Sequence, residues 1–426
     1  MRLILQDCFV VTLTDRGILP RASVVIEDGL ITAIETSAPR RTGPEVVDCS
    51  HKLALPSLYN SHLHSEFLLM KGLLEERRLA QWESAPFYEP WWDHLEKTPR
   101  LDLLEIASRA SYLEQALMGV GFVGEFNCAD DSAELSARIL EEVGLRGTAT
   151  LKEGEKPPRG GKILPVGFVH HEGKITLEEL KEIAALMVAR PHQHFTLHAA
   201  ENLERVQHMM THFGARTVCI LQQRGLLTPR LLLSHAVHLD EEERNLLARS
   251  GAAVVASPTS EMKLADGIAP LVDYMDRGIP VLLGTDCATC NNGADLFLEL
   301  KTLGLLQKVH FGAHVAPAER LLATVTTTAA TFWGDARRGR LEVGSPADIC
   351  LLDRGSPALT PLLHTPTHSN VYANLVYAAT GRDVTDLLVD GTWVVRNRQH
   401  TSLDLPRVMA ELQRAAEELL GEGQIF

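Results

Sequence analysis

The middle of the chain alternates short apolar runs with longer amphipathic stretches. Apolar runs of this length are typical of buried parallel strands, and the stretches between them have helical spacing. The runs predict eight strands, at residues 54–64, 121–127, 146–151, 162–170, 194–198, 231–235, 252–257 and 280–286. The clearest helical patterns lie at residues 101–118, 132–143, 177–189 and 241–249. Eight alternating units predict an α/β protein built as a (β/α)8 barrel of the TIM type.

Both ends of the chain have a different pattern, in which short β-rich runs alternate with turns. Asp28-Gly29 and Asp390-Gly391 are hairpin signals, one in each end. We expect the ends to pair into a small β-sandwich domain made of residues 1–54 and 344–426, beside a catalytic barrel of residues 55–343. An amphipathic pattern over residues 405–420 predicts a C-terminal helix in the same domain.

Ionisable side chains close several of the predicted barrel strands. His62 and His64 share one face of the first strand, because alternate side chains of a strand point the same way. His198, His235 and Asp286 end the fifth, sixth and eighth strands. A single buried histidine is more often a hydrogen-bonded core residue, but in a TIM barrel all these strand ends meet at one mouth. The sequence therefore predicts a metal site there, since neutral imidazole suits zinc, iron or nickel.

Composition and charge exclude several classes of partner. The 426-residue chain has a formal net charge of −14, which argues against a nucleic-acid backbone or an anionic membrane as the main partner. No stretch reaches the run of about 18 apolar residues that spans a membrane, and the N-terminus lacks the pattern of a signal peptide. We therefore expect a cytoplasmic protein that acts on a small molecule, and we allow for a homodimer.

The seven cysteines are an odd number and lie scattered along the chain. This distribution predicts reduced thiols rather than a disulfide framework. Cys287 and Cys290 form a Cys-x-x-Cys pair, but no second pair completes a structural zinc site. We interpret these two as small residues that line the pocket, with a redox role as the alternative.

Five motifs, in this order, are similar to those of the amidohydrolase superfamily. They are Asn60-Ser61-His62-Leu63-His64, His198-x-x-Glu201, Ser234-His235-Ala236-Val237-His238-Leu239, Ser257-Pro258-Thr259-Ser260-x-x-Lys263-Leu264, and Gly284-Thr285-Asp286 with Asn291-Asn292. The branch that they resemble contains the cytosine, guanine, adenosine-type and S-adenosylhomocysteine deaminases and the triazine hydrolases. The likeness runs along nearly the whole chain, including the β-rich ends.

The resemblance implies one divalent metal ion per chain, zinc in the first place with iron as the alternative. The implied ligands are His62, His64, His198 and Asp286, and such a metal lowers the pKa of a bound water to about 7. Two-metal relatives need a lysine at the end of strand 4. That strand ends here in Val169-His170-His171, so we do not expect a second ion.

The resemblance also implies three catalytic residues. Glu201 would protonate a ring nitrogen of the substrate and then pass a proton toward the leaving group, which requires a raised pKa. The alternative for Glu201 is a carboxylate favoured by the dipole at a helix start, and both interpretations can hold. His235 would orient or deprotonate the metal-bound water, and Asp286 would accept a proton from it. We expect His238 only to support the residues that contact the metal or the substrate.

Substrate-binding residues are expected on the loops that follow the strands. The candidates are His171 after strand 4, Cys290 after strand 8, Glu89 in the loop after strand 1 and Arg159 after strand 3. His171 falls where nucleoside deaminases of this branch have a histidine that faces the ligand, whereas Cys290 falls where several of them have serine. Glu66 is an unexpected acid so close to the metal site in sequence, and its simplest interpretation is a loop acid that faces solvent.

These features together predict an aminohydrolase that removes an amino group from a purine or related ring and releases ammonia. Within the branch the chain looks most like the aminodeoxyfutalosine deaminases of menaquinone biosynthesis. Their substrate, 6-amino-6-deoxyfutalosine, is an adenine nucleoside with a benzoate-bearing 5′ extension, for which Arg77, Arg78 and Arg159 are candidate partners. The alternatives are a deaminase of S-adenosylhomocysteine, of another 5′-modified adenosine or of guanine-like bases, a triazine chlorohydrolase, and a non-catalytic scaffold. The complete set of metal ligands argues against the scaffold.

Overall fold

The computed structural model describes residues 2–37, 41–43, 45–84, 91, 100–129, 132–151 and 161–422. Their strands form two sheets, of eight and nine strands. The strands are β1 (Arg2–Val11), β2 (Ile18–Glu27), β3 (Leu30–Glu35), β4 (Val46–Asp48), β5 (Lys52–Pro56), β6 (Leu58–Leu63), β7 (Val120–Glu125), β8 (Arg146–Leu151), β9 (Ile163–Phe168), β10 (His194–Ala199), β11 (Leu231–His235), β12 (Ala253–Ala256), β13 (Val281–Leu283), β14 (Ile349–Asp353), β15 (Val384–Val389), β16 (Thr392–Arg396) and β17 (Gln399–His400).

The described helices follow most of the barrel strands and also close the chain. They are α1 (Leu101–Leu117), α2 (Ser132–Val143), α3 (Leu177–Ala189), α4 (Leu203–Phe213), α5 (Thr217–Gln223), α6 (Glu241–Ser250), α7 (Pro258–Lys263), α8 (Leu271–Asp276), α9 (Leu296–Phe311), α10 (Ala318–Ala323), α11 (Thr327–Phe332), α12 (Val371–Tyr377) and α13 (Leu405–Glu422). Short 3-10 helices lie at Ser65–Met70, Leu79–Ser84 and Gly381–Asp383. Within the described ranges, no helix combines the length and the apolar character needed to cross a membrane.

The eight-stranded sheet is the predicted barrel. Strands β6 to β13 pair with their sequence neighbours in order, and every pair is parallel. The last strand returns to the first, because the Asp286 N–H donates to the His62 carbonyl at 3.0 Å. Gly284 permits this approach, since a Cβ at that position would lie 2.6 Å from His62 Cβ. The α/β prediction of a TIM-type barrel is therefore confirmed.

The bottom of the barrel is filled by apolar side chains. Tyr59, Phe122, Val166, Leu232 and Val255, all buried, belong to one cluster inside the strands. The rings of Tyr59 and Phe122 stack with their centroids 4.8 Å apart. Because this cluster fills the interior below the strand ends, the polar site is restricted to the opposite, carboxyl-terminal mouth.

The nine-stranded sheet is built from both ends of the chain, as expected. Strand β14 pairs antiparallel with β5, with Ile349 opposite Pro56. Both predicted hairpins are present, joining β2 to β3 and β15 to β16. Asp28 and Gly29 have φ of 49° and 83°, and Asp390 and Gly391 have φ of 50° and 72°. Positive φ at both central residues is what a tight hairpin of this twist requires.

The prediction of one strand over residues 54–64 is wrong, because two strands of different sheets occupy this run. β5 ends at Pro56 in the terminal sheet and β6 begins at Leu58 in the barrel. The backbone changes partners at this point, since the Ser57 N–H donates to the Asp348 carbonyl and the Leu58 N–H to the Gly119 carbonyl, each at 3.0 Å. Both strands are buried, so the apolar run gives no sign of the division.

The C-terminal helix is confirmed, and it packs on the barrel side of the molecule. Val408, Ala415 and Leu419 of α13 share an apolar cluster with Leu103 of α1 and with Phe67 after the first barrel strand. At the surface, Arg100 also pairs with Glu418 at 2.7 Å. Helix α13 is thereby held against the elements that surround the barrel mouth.

Candidate active site

Three histidines and an aspartate meet at the carboxyl ends of the barrel strands. The ligand atoms of His62, His64 and His198 all lie within 4.8 Å of one another. The Nε2 atoms of His64 and His198 are 3.3 Å apart. Asp286 Oδ1 lies 3.6 Å from Nε2 of His62 and 3.6 Å from Nε2 of His64. The structure thus brings together all four residues that the motifs implied as ligands.

This donor set fits a divalent cation. His62 Nε2 is buried and has no hydrogen-bond partner in the described part of the chain. Burial, with the neighbouring histidines, holds the pKa of His62 and of His198 well below the usual range, so both rings offer lone pairs. Burial opposes ionisation of Asp286, but His235, His64 and a hydrogen bond from Ser260 lower its pKa. Neutral imidazoles beside an ionised carboxylate are the ligands that zinc prefers.

Neighbouring side chains orient the ligands. Ser234 Oγ lies 3.3 Å from His62 Nδ1, and Cys128 Sγ lies 3.3 Å from His64 Nδ1. Ser260 donates to Asp286 Oδ2 at 2.6 Å. Contacts of this kind at the outer ring nitrogen leave Nε2 free to face the metal and fix the ring plane.

The expectation that Glu66 faces solvent is wrong. Its side chain is 3% exposed, because the chain enters a buried 3-10 helix directly after His64. Glu66 Oε1 accepts a hydrogen bond from the Cys128 N–H at 2.7 Å. Glu125 lies nearby, and burial together with the charge of Glu66 raises the pKa of Glu125 well above its usual value. Two buried acids therefore support the His64 side of the site.

Glu201 and His235 lie beside the cluster of ligands. His235 is 2% exposed, and its Nε2 is 3.8 Å from Glu201 Oε1 and 4.0 Å from Asp286 Oδ2. Burial opposes protonation of His235, but Glu201, Glu261 and Asp286 raise its pKa to about 10. Burial raises the pKa of Glu201, Asp286 adds to the rise, and His235 opposes it. The pair can therefore hold protons next to the four ligands.

The backbone around Glu201 explains where its side chain points. Ala200, directly after β10, has φ of 49°, and its N–H donates to Glu172 Oε1 at 2.8 Å. Asn202 caps α4 by accepting from the Arg205 N–H at 3.0 Å. Glu201 lies between this strained residue and the cap, immediately before the helix, and is 6% exposed. The left-handed backbone recurs at His235, with φ of 72°, and such strain outside glycine clusters at functional sites.

Two acids near His235 were not anticipated from the sequence. Glu261 Oε1 lies 3.5 Å from His235 Nδ1 and accepts from the Ser257 N–H at 2.8 Å. Asp266 is 7% exposed, and its Oδ2 has no hydrogen-bond partner among the described residues. Burial, with the charge of Glu201, raises the pKa of Asp266 to about 7. The sequence signal for these acids is their position, since Glu261 lies on the short helix after the seventh barrel strand and Asp266 lies just after that helix.

The predicted substrate residue His171 lies in the loop after β9. The Gly173 N–H donates to His171 Nδ1 at 3.1 Å, and burial, with the charge of Arg205, lowers the pKa of His171 to about 3. The ring is therefore neutral and carries its proton on Nε2. His238 Nε2 contacts the Asp266 carbonyl. His238 therefore supports the segment that carries Asp266 and lies outside the cluster of ligands.

The other predicted substrate residues have different surroundings. Cys290 is buried, and its Sγ lies 3.4 Å from Asp286 Oδ2. It is paired with Cys287 as a disulfide, so the prediction of reduced thiols is wrong for these two cysteines. The close spacing explains the pairing, since the two Cα atoms are 5.6 Å apart. Glu89 and Arg159 lie outside the described residues.

Two motif residues connect the loops around the mouth. Lys263 donates to Glu75 at 2.7 Å and to the Thr289 carbonyl at 2.8 Å, and it also contacts Asn292. The loop after the first strand is thus tied to the loops after the seventh and eighth. Arg77, in that first loop, is half-buried, whereas the adjacent Arg78 is exposed.

Comparison with known proteins agrees with this architecture. Over 98% of both chains, the protein is 31% identical to the 5′-deoxyadenosine deaminase of Methanosarcina barkeri. It is 30% identical to the 5-methylthioadenosine/S-adenosylhomocysteine deaminase of Nitratidesulfovibrio vulgaris, over 97% of this chain and 96% of that one.

Solved structures show the same fold. A zinc-bound adenosine deaminase of Xanthomonas campestris superposes with a TM-score of 0.89 at 22% identity, covering 98% of each chain. A zinc complex of atrazine chlorohydrolase from Arthrobacter aurescens gives 0.85 at 22% identity, covering 97% of this chain and all of that one. The model of the amidohydrolase family matches residues 53–394, which is most of the chain. The chain therefore belongs to the amidohydrolase family.

Proposed function

We propose that this protein is a metal-dependent hydrolase that deaminates a 5′-substituted adenine nucleoside. The observation that carries the proposal is the cluster formed by His62, His64, His198 and Asp286, with the proton-holding pair Glu201 and His235 beside it. The two relatives named above are deaminases of such nucleosides. One zinc ion per chain, with iron as the alternative, fits the donor set.

A metal bound by these four residues would lower the pKa of a coordinated water and so supply a nucleophile at neutral pH. Glu201 is buried with a raised pKa, so it can hold the proton that a purine ring nitrogen needs as its amino-bearing carbon is attacked. The resulting Glu201 carboxylate can then take the proton of the newly formed hydroxyl group and pass it to the departing amine, which leaves as ammonia. His235, at 3.8 Å from Glu201, orients the attacking water, and Asp286 accepts its proton.

Substrate orientation is assigned to the loops after strands 3, 4 and 8 and to the loop after strand 1. His171 is neutral, with Nδ1 already accepting a hydrogen bond, so its Nε2–H is the donor that it presents to a nucleoside. Cys290 contributes apolar volume at the end of strand 8. Glu89 and Arg159 stay predictions as substrate contacts, as do the homodimer and the cytoplasmic location.

The finer proposal concerns the 5′ substituent. The sequence predicts 6-amino-6-deoxyfutalosine, whereas the relatives' names point to 5′-deoxyadenosine, methylthioadenosine and S-adenosylhomocysteine. All are adenine nucleosides that differ only beyond C5′. Deamination of the adenine ring is therefore common to all of them, and a substrate panel identifies the tail.

The test is a panel of these four nucleosides with adenosine, guanine and atrazine, using zinc- or iron-loaded protein. Ammonia release and conversion of the adenine to the hypoxanthine spectrum are measured together. We expect kcat/KM to be highest for a 5′-modified adenosine. Preference for guanine or atrazine would refute the nucleoside assignment, and the absence of turnover on every compound would favour the scaffold alternative.

A further inference from the structure

An arginine that the mechanism does not use lies at the barrel mouth. Arg205 is in the first turn of α4, four residues after Glu201. Its guanidinium occupies the space over Gly173, where an added Cβ would overlap Nη1 and lie 3.0 Å from Cζ. The same Cβ would lie 3.2 Å from His171 Cε1. Arg205 and His171 therefore lie side by side over Gly173, where the missing side chain leaves room for the guanidinium.

The Arg205 guanidinium has no carboxylate partner among the described residues, and its side chain is half-buried. Two other half-buried arginines of the barrel differ in this respect. Arg216 pairs with Glu243 at 2.7 Å, and Arg244 pairs with Asp273 at 2.9 Å. A half-buried guanidinium without a paired carboxylate is available to bind an anionic ligand.

The position of Arg205 relates it to the reacting groups. The loop that carries Gly173 and the start of α4 follow the adjacent parallel strands β9 and β10. Both therefore lie at the mouth that holds the metal ligands. The positive charge of Arg205 contributes, after burial, to the lowered pKa of His171 and opposes the raised pKa of Glu201. The cation is thus electrostatically coupled to the proposed acid and to the proposed nucleoside-binding histidine.

We propose that Arg205 is a specificity-determining residue that binds a carboxylate on the 5′ extension of the substrate. This inference rests on the proposed function. A purine held at Glu201 must direct its 5′ tail outward, and Arg205 is an unpaired cation beside that exit. Its planar fork suits a carboxylate because it donates two parallel hydrogen bonds. Gly173 serves the same purpose indirectly, since any side chain there would displace the guanidinium.

The first experiment compares substrates with and without a carboxylate. S-Adenosylhomocysteine and 6-amino-6-deoxyfutalosine bear one, whereas 5′-deoxyadenosine and methylthioadenosine do not. Arg205→Ala should lower kcat/KM for the carboxylated nucleosides by about 10- to 100-fold, mainly through KM. The neutral nucleosides should lose clearly less, because Arg205→Ala acts on them only through its charge effect on Glu201 and His171. Arg205→Lys, which keeps the charge but loses the fork, should give an intermediate loss.

A second variant keeps Arg205 in the sequence but displaces its guanidinium. Gly173 does not have a positive φ, so alanine is tolerated by the backbone. It acts mainly through the overlap with Arg205, and its closer contact with His171 Cε1, at 3.2 Å, is monitored on the neutral nucleosides. Gly173→Ala should reproduce the selective loss on carboxylated substrates, and the double variant should be no worse than Arg205→Ala. Arg224→Ala is the matched control, because Arg224 is also half-buried and has no ion pair in the described chain, but it lies at the end of α5.

The outcomes separate the inference from the function on which it rests. If the parent deaminates both classes of nucleoside and Arg205→Ala affects them equally, or affects neither, the inference fails while the deaminase proposal stands. If the parent deaminates no adenine nucleoside, both fail. Adenosine 5′-phosphate is included as a second anion. A parent that prefers it, and loses that preference in Arg205→Ala, overturns the carboxylate assignment in favour of phosphate.

Discussion

Replacing Glu201 with glutamine tests the proposed proton transfer most directly. Glutamine has nearly the same volume and can keep the contacts of the buried side chain, but it holds no transferable proton. Loss of one positioned acid–base group costs about 10²–10⁴ in rate, or about 2.7–5.5 kcal/mol of transition-state stabilisation. Asp266 is a buried carboxyl near Glu201 with a pKa raised to about 7, so it can replace the acid in part. We therefore expect a fall in kcat of about 10²–10³.

The assay is single-substrate kinetics on the best nucleoside of the panel, with metal content measured by elemental analysis on the same preparations. Glu201→Gln should retain the metal, since the ligand cluster does not include it. The double variant Glu201→Gln/Asp266→Asn should lose about a further factor of ten. Glu204→Gln is the control, because Glu204 is an exposed acid in the first turn of α4, three residues after Glu201. A single variant with near-parental kcat, or one that loses its metal, would refute this account of Glu201.

Three further perturbations have distinct expected results. His62→Ala or Asp286→Ala should abolish activity and lower bound metal from one ion per chain to a small fraction, and two ions per parental chain would contradict the single-ion proposal. Gly284→Ala should lower the free energy of unfolding by about 1–3 kcal/mol or more in denaturant and weaken metal binding, because its Cβ would lie 2.6 Å from His62 Cβ. Unchanged stability and metal affinity would argue against close contact between the first and last barrel strands. Burial raises the pKa of Glu172 from 4.5 to about 7, so the folded protein keeps a proton that the unfolded chain releases, and the parent loses stability as pH rises across this interval. Glu172→Gln still accepts a hydrogen bond but does not titrate. The difference in unfolding free energy between this variant and the parent should therefore shift in favour of the variant by up to about 3 kcal/mol from about pH 5 to pH 8. A pH-independent difference would contradict the raised pKa of Glu172.

The barrel is predictable from sequence because parallel strands buried on both faces leave continuous apolar runs. The same runs locate the ligands, since an ionisable residue that ends such a run must lie at the mouth. The division at Ser57 is not predictable in this way. Residues on both sides of it are buried and apolar, and only the change of backbone partner from Asp348 to Gly119 separates the two sheets.

The residues that sequence analysis missed act through contacts between distant loops. Arg205 gains its significance from Gly173, which precedes it by a helix and a strand. Glu261 and Asp266 matter because they lie against His235 and Glu201, which no periodicity reveals. The buried state of Glu66 depends on a 3-10 helix whose hydrophobic residues are not spaced as in an α-helix. These side chains require tertiary structure for their interpretation.

The joining of β5 to β14 has a consequence for the order in which the chain is synthesised. Lys52–Pro56 leaves the ribosome early, whereas its antiparallel partner Ile349–Asp353 follows only after the whole barrel sequence. Until then one edge of β5 lacks its neighbour, and an open edge is a template for pairing with another nascent chain. We therefore expect nascent chains that stop before residue 349 to aggregate more than chains that include β14.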